Sequence, residues 1–154
     1  MWQRVFKEVA AQYPGIEPTH YYIDALAMYM VLDPAQFQVI VTNNLFGDIV
    51  TDLGATFQGG LGMAASGNLH PGKTSMFEPV HGSAPRFAGK NIANPIGAIG
   101  SAALMLETLG LKDEAAAVDA AILATVEAGE GTPDIGGTMG TRETGAAIVN
   151  RIQS

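Results

Sequence analysis

Val41-Thr-Asn-Asn-Leu-Phe-Gly-Asp48-Ile-Val-Thr-Asp52 is the stretch whose reading decides the fold class. Just ahead of it, the apolar run from Phe37 to Val41 predicts a short buried strand. Thr42, Asn43 and Asn44 can each cap a helix start, because a short side-chain oxygen can accept an N–H of the first turn. Asp48 and Asp52 then fall one turn apart on one face of a helix that ends near Gln58. Two like charges so placed repel by roughly 0.2–0.5 kcal/mol in an isolated helix. No Lys or Arg occurs between Lys7 and Lys73, so the neighbourhood offers no local counter-charge. A divalent cation is the candidate partner, and a solvated helix face is the alternative that the spacing leaves open.

Working outward toward the N-terminus, Thr19 to Ile23 is rich in β-formers and predicts a strand. Asp24 follows at a helix N-cap position, and Asp33-Pro34 ends that helix. Trp2, Val5, Phe6 and Val9 recur at helical spacing, so Trp2 to Ala11 reads as an amphipathic helix stopped by Tyr13-Pro14-Gly15.

On the C-terminal side, Gly59-Gly-Leu-Gly62-Met-Ala-Ala65 formally matches a dinucleotide fingerprint. That fingerprint requires a strand before it and a helix opening from it. Here it follows a helix and leads into Ser66-Gly67-Asn68 and Pro71-Gly72, which are turn signals, so the stretch reads as a turn. A short strand is predicted at Ser75 to Phe77. A long loop then runs from Glu78 to Pro95 and mixes apolar anchors with Gly, Pro, His81, Ser83, Arg86, Lys90 and Asn94. Loops of that length in compact domains are usually functional or disordered, and this composition suits a backbone wrapped around a polar ligand. Pro95 suits a first helical position. Ile99, Ala102, Ala103, Leu106 and Leu109 give that helix a buried face, closed by Gly110. Helices at Asp113 to Ala128 and Thr144 to Ile152 flank a Gly/Thr-rich loop from Gly129 to Gly140.

Composition bounds the rest. With 154 residues, 47% hydrophobic and 15% charged, the chain can bury a sizeable core. Fifteen acidic against eight basic residues give a net charge of −7, which argues against a nucleic-acid partner. There is no cysteine, so disulfides, thiolate metal sites and a Cys nucleophile are excluded, in keeping with a cytoplasmic setting. The longest weakly polar run, Ile96 to Leu106, is far short of the roughly 20 apolar residues a membrane span needs.

Four motifs, in order and at matching spacing, carry a resemblance over nearly the whole chain. They are Tyr22-Ile-Asp24-Ala-Leu-Ala-Met, Asn44-Leu-Phe-Gly-Asp48-Ile-Val-Thr-Asp52, Phe77-Glu-Pro-Val-His-Gly-Ser-Ala-Pro85 and Ala88-Gly-Lys-Asn-Ile-Ala-Asn-Pro95. Together they resemble the metal-dependent β-decarboxylating dehydrogenases, which include isopropylmalate, isocitrate, homoisocitrate and tartrate dehydrogenases, and the wording is nearest the 3-isopropylmalate branch. The resemblance implies an α/β fold, the C-terminal portion of the isopropylmalate/isocitrate dehydrogenase type, with a mixed sheet, flanking helices and no GxGxxG Rossmann motif. It implies a division in which residues 1–58 belong to a central dimerisation and metal-binding domain. Residues 59–154 then form the C-terminal part of the cofactor-binding domain.

By the same resemblance, Asp48 and Asp52 bind Mg²⁺ or Mn²⁺ from one subunit and Asp24 reaches the ion from the other subunit of a homodimer or higher homo-oligomer. Hard divalent ions favour such oxygen ligands. The loop matches the family's cofactor loop. Glu78 would lie near the nicotinamide, and His81, Gly82, Ser83, Ala84, Arg86 and Asn94 would meet the adenosine half. Arg86 departs from the acidic residue common in NAD-linked members, and a cation there suits a 2′-phosphate. NAD is the expected cofactor, with NADP use opened by Arg86. The implied activity is the oxidation and decarboxylation of a small hydroxy-acid, 3-isopropylmalate to 2-oxoisocaproate in leucine synthesis, with isocitrate, homoisocitrate or tartrate/malate as alternative substrates. The family's catalytic Tyr and Lys, which lie in its N-terminal half, have no counterpart here. The expectation is therefore a C-terminal portion of a longer enzyme, inactive alone. The alternative is a non-catalytic module that binds nucleotide or pairs with a full-length relative.

Overall fold

The computed structural model describes residues 1–153. They fall into two compact units, Met1–Gly47 and a second that starts at Asp48.

In the first unit, α1 (Trp2–Ala10) buries none of its residues. Helix α2 (Ile23–Leu32) is apolar on every side, yet only Leu26 is buried. Its N-cap is Tyr22, in extended backbone, so Asp24 is not the cap that its position suggested. Asp24 sits instead in the first turn, where its Oδ1 accepts the N–H of Ala25 at 2.9 Å. A carboxylate there also faces the positive end of the helix dipole. Asp33, at φ −152°, and Pro34 stop the helix and start a 3₁₀ turn, Pro34–Gln36. Neither strand expected in this unit forms. Residues 19–22 and 37–41 carry no ladder among the described residues, and Val39 is 91% exposed rather than buried. A run of β-formers becomes a strand only when another strand supplies hydrogen bonds. Here the two segments meet through side chains instead. The Tyr21 ring lies edge-on to Tyr29 at 5.5 Å and to Phe37 at 5.6 Å.

Helix α3 (Asn44–Thr56) carries Asp48 and Asp52. Asn43 caps it, its Oδ1 accepting the Phe46 N–H at 3.0 Å. From Asp48 onward the second unit follows. Among the described residues its sheet is a two-stranded antiparallel hairpin: β1 (Ala65–Asn68) pairs with β2 (Met76–Pro79) in the register Ala65↔Pro79 and Gly67↔Phe77. Ser66-Gly67-Asn68 therefore forms a strand where turn residues suggested a turn. The glycine has a packing cause: a Cβ on Gly67 would stand 3.1 Å from the Phe77 ring and 3.2 Å from Leu104.

Helices α4 (Ile96–Thr108), α5 (Lys112–Glu127) and α6 (Thr141–Ile152) complete the unit. Helix α4 packs on both hairpin strands and on α5, and α5 packs on α6. The core is Ile96, Ala121 and Ile148, ringed by Met63, Ile99, Ile122, Val126 and Ile135. Two buried hydroxyls are bonded locally, Ser101 donating to the Gly97 carbonyl and Thr125 to the Ala121 carbonyl, while the buried Thr144 hydroxyl has no protein partner. No helix among the described residues is long and apolar enough to cross a membrane.

Candidate functional site

The loop from Glu78 to Asn94 lies wholly in the second unit, and its residue types explain its path. Strand β2 delivers Glu78, exposed, beside a depression of about 300 Å³ lined by Phe77, Pro79, Ala98, Ser101, Ala102 and Met105. The Val80 N–H donates to the Ala64 carbonyl, so the chain leaves the hairpin under control. His81 is half-buried and its Nδ1 lies 2.9 Å from the Gly82 carbonyl oxygen. A carbonyl can only accept, so this contact is a hydrogen bond donated by Nδ1–H. Gly82 and Ser83 are exposed. Ala84 takes φ 41°, a left-handed conformation rare outside glycine and costing of order 1–3 kcal/mol. Such strain is characteristic of ligand clamps. Pro85–Phe87 form a 3₁₀ turn that places the exposed Arg86 guanidinium over the Phe87 ring, 4.9 Å from its centroid.

The loop's second half is held by α6. Asn91, at φ 54°, donates through Nδ2 to Glu143 Oε2 at 2.8 Å and accepts the Arg142 N–H on Oδ1 at 3.0 Å. The Thr141 N–H donates to the Asn91 carbonyl and the Thr141 hydroxyl to the Ala93 carbonyl, at 3.1 and 2.6 Å. The Asn91 amide is the main reason that the Glu143 carboxyl is held below its usual 4.5, with its own backbone N–H adding to the effect. Asn94 is buried and closes the loop. Its Oδ1 accepts the Ile96 N–H at 2.9 Å, capping the start of α4. Its Nδ2 donates to Asp134 Oδ2 at 3.0 Å and faces Met63 Sδ at 3.5 Å.

The three aspartates are exposed: Asp48 and Asp52 on α3, Asp24 on α2 in the first unit. Among the described residues of a single chain, no three His, Asp or Glu side chains cluster tightly enough to hold a metal ion. A reading that assigns Asp24 to a second copy needs only the pair on α3 within one chain. That pair fits a hard cation as a donor set, since both members are solvent-accessible carboxylates one helical turn apart.

Residues 1–148 match the sequence profile of isocitrate/isopropylmalate dehydrogenase. The chain belongs to that family. A 3-isopropylmalate dehydrogenase of Methanothermobacter thermautotrophicus is 50% identical over 148 residues, covering 96% of this chain and 45% of that relative. One from Rhodococcus erythropolis is 54% identical over 142 residues, covering 88% of this chain and 42% of the relative. Among solved structures, the isocitrate dehydrogenase of Methylococcus capsulatus superposes with a TM-score of 0.89 at 42% identity, covering 99% of this chain and 45% of that one. The chain thus has the fold of this dehydrogenase family and spans less than half the length of the relatives it matches. Sequence reasoning missed Asn91, Thr132, Asp134 and Glu143. Each is an ordinary polar residue in the sequence, and only the fold brings them to the loop.

Proposed function

We propose that these residues are the metal-aspartate and nucleotide-loop portion of an enzyme that oxidises and decarboxylates 3-isopropylmalate. The observation that carries this reading is the 50% identity to a 3-isopropylmalate dehydrogenase across 96% of the chain. Relatives at 47–54% identity carry the name 3-isopropylmalate dehydrogenase, which supports 3-isopropylmalate as the substrate. In this reading Asp48 and Asp52 hold Mg²⁺ or Mn²⁺ from one chain and Asp24 completes the site from a second copy. A bound ion supplies Lewis-acid polarisation of the substrate's hydroxyl and carboxylate oxygens. The carboxylates orient that ion against the substrate. The strained backbone around Ala84 and the His81 ring shape a cradle for the adenosine half of a dinucleotide, and Glu78 lies at its nicotinamide end. The hydride acceptor is NAD or NADP. Arg86, steadied over Phe87, presents a cation to the ribose, which favours the 2′-phosphate of NADP.

The test is Mn²⁺ titration of the 154-residue chain, with nucleotide binding measured in parallel. Asp48→Asn and Asp52→Asn should each weaken Mn²⁺ binding by at least about tenfold, as loss of one charged ligand implies. Unchanged binding in both would remove the metal assignment. Arg86→Asp should shift preference from NADP toward NAD, and an unmodified chain preferring NAD by about a hundredfold, near 2.7 kcal/mol, would defeat the role given to Arg86. No turnover of 3-isopropylmalate is expected from the chain alone. Turnover at ordinary rates would show that proton-transfer groups lie within these 154 residues.

A further inference from the structure

Asn94 is a residue one would assign to the nucleotide by its place in the loop, yet its side chain is already committed. An Asn amide has two N–H donors and one carbonyl acceptor. One donor goes to Asp134 Oδ2 at 3.0 Å, the other is taken up at Met63 Sδ at 3.5 Å, and the carbonyl accepts the Ile96 N–H at 2.9 Å. The side chain is buried, so no spare N–H faces a ligand. Asp134 is itself oriented: its Oδ1 accepts the hydroxyl of the fully buried Thr132 at 2.6 Å. The packing leaves room for this pair and nothing more. A Cβ on Gly62 would stand 2.7 Å from Asp134 Oδ2 and 2.9 Å from the Asn94 Cβ.

We infer that Thr132, Asp134 and Asn94 form a positioning unit for the nucleotide loop, in which Asp134 acts through the Asn94 amide without touching the nucleotide itself. The inference rests on the nucleotide reading of the loop given above. The chain of contacts runs from the buried Thr132 hydroxyl to the Asp134 carboxylate, to the Asn94 amide, and so to the loop's last residues and the first turn of α4. A carboxylate that accepts from both a hydroxyl and an amide fixes the amide's orientation, because only the N–H side of Asn94 can face it. The loop backbone just before it is pinned separately by the Thr141 hydroxyl on the Ala93 carbonyl. Asp134 acts at a distance, through Asn94, on both NAD and NADP.

The decisive experiment compares Asp134→Ala, Asn94→Ala and the reciprocal double variant Asn94→Asp with Asp134→Asn. The double variant exchanges donor and acceptor and can re-form the bonds within the unit and to Ile96, losing only the donor to Met63 Sδ: the introduced carboxylate accepts from Ile96 N–H and from the introduced amide, whose own oxygen accepts from Thr132. NAD and NADP affinities, melting temperature and the amide resonances of residues 88–93 are measured for each. Both single variants should weaken NAD and NADP alike, by about tenfold, the scale of one charge-assisted bond. The double variant should recover most of the melting temperature and the affinity together. Recovery of the melting temperature without recovery of affinity would show that the pairing within the unit does not set the affinity, and would overturn the inference. So would single variants with unchanged affinity and resonances, or a double variant that recovers nothing. A wild-type chain that binds neither NAD nor NADP would instead defeat the nucleotide reading. The positioning unit would then stand or fall on whether residues 88–93 shift in the single variants and return in the double.

Discussion

The two units bury their apolar residues very differently. In the second, three helices enclose Ile96, Ala121 and Ile148, with Thr125, Thr132 and Thr144 fully buried among them. In the first, only Leu26 is buried, while Trp2, Tyr22, Val31, Leu32 and Val39 are all more than half exposed. An all-apolar helix such as α2 belongs in the interior of something larger. The second unit can hold the loop at residues 78–94 in shape by itself, while the first leaves its apolar faces exposed.

Core truncation should expose this contrast most strongly. Ile148→Ala removes a side chain with no solvent exposure and should cost about 2–5 kcal/mol in denaturant unfolding. Val39→Ala, at a 91% exposed position, should change stability by less than about 0.5 kcal/mol. Equal effects would erase the distinction between the units. Glycine substitutions sharpen it at a smaller scale. Gly62→Ala forces a shift of Asp134 or Asn94 and should lower stability by about 1–3 kcal/mol, whereas Gly15→Ala, with nothing within 4 Å, should leave the melting temperature the same or slightly raised.

The smallest effect is electrostatic and confined to the second unit. Glu143 has its carboxyl held below 4.5 by Asn91, so its folded value lies below its unfolded one. Its contribution is present above the unfolded value and is lost as pH falls through the folded one. Unfolding midpoints should therefore drop below about pH 4.5 more steeply in the wild type than in Asn91→Ala, which lacks the amide. Identical acid limbs would show that the Asn91–Glu143 bond is not formed in solution.

The same contrast governs how much was legible from residue order. Helices α4, α5 and α6 were readable to within a few residues because their apolar periodicity matches a core that the chain itself contains. A cap among Thr42, Asn43 and Asn44 and the Asp48/Asp52 spacing on α3 were equally plain, since capping and helical spacing are local, though only the structure selects Asn43. The run Phe37 to Val41 was misread because apolar β-formers look the same whether or not a ladder partner exists. Strand β1 was hidden for the opposite reason: Gly67 and Asn68 carry turn chemistry, and the requirement for a bare backbone against Phe77 is tertiary. At the candidate site, the extent of the loop showed in its Gly and Pro content. Its anchors did not, because Asn94 meets Asp134 across 40 residues and Asn91 meets Glu143 across 52. The four family motifs carried the site assignment that spacing alone left open.

Under the proposed function, carboxylates from two copies of this chain share one divalent ion. Mixing chains tests it most directly. Asp24→Asn chains and Asp48→Asn/Asp52→Asn chains should each bind Mn²⁺ weakly alone, and co-folded mixtures should regain tight Mn²⁺ sites that neither has, read by the electron paramagnetic resonance of the bound ion. Tight binding by the Asp24→Asn chain alone, or mixtures no better than their parts, would contradict the claim.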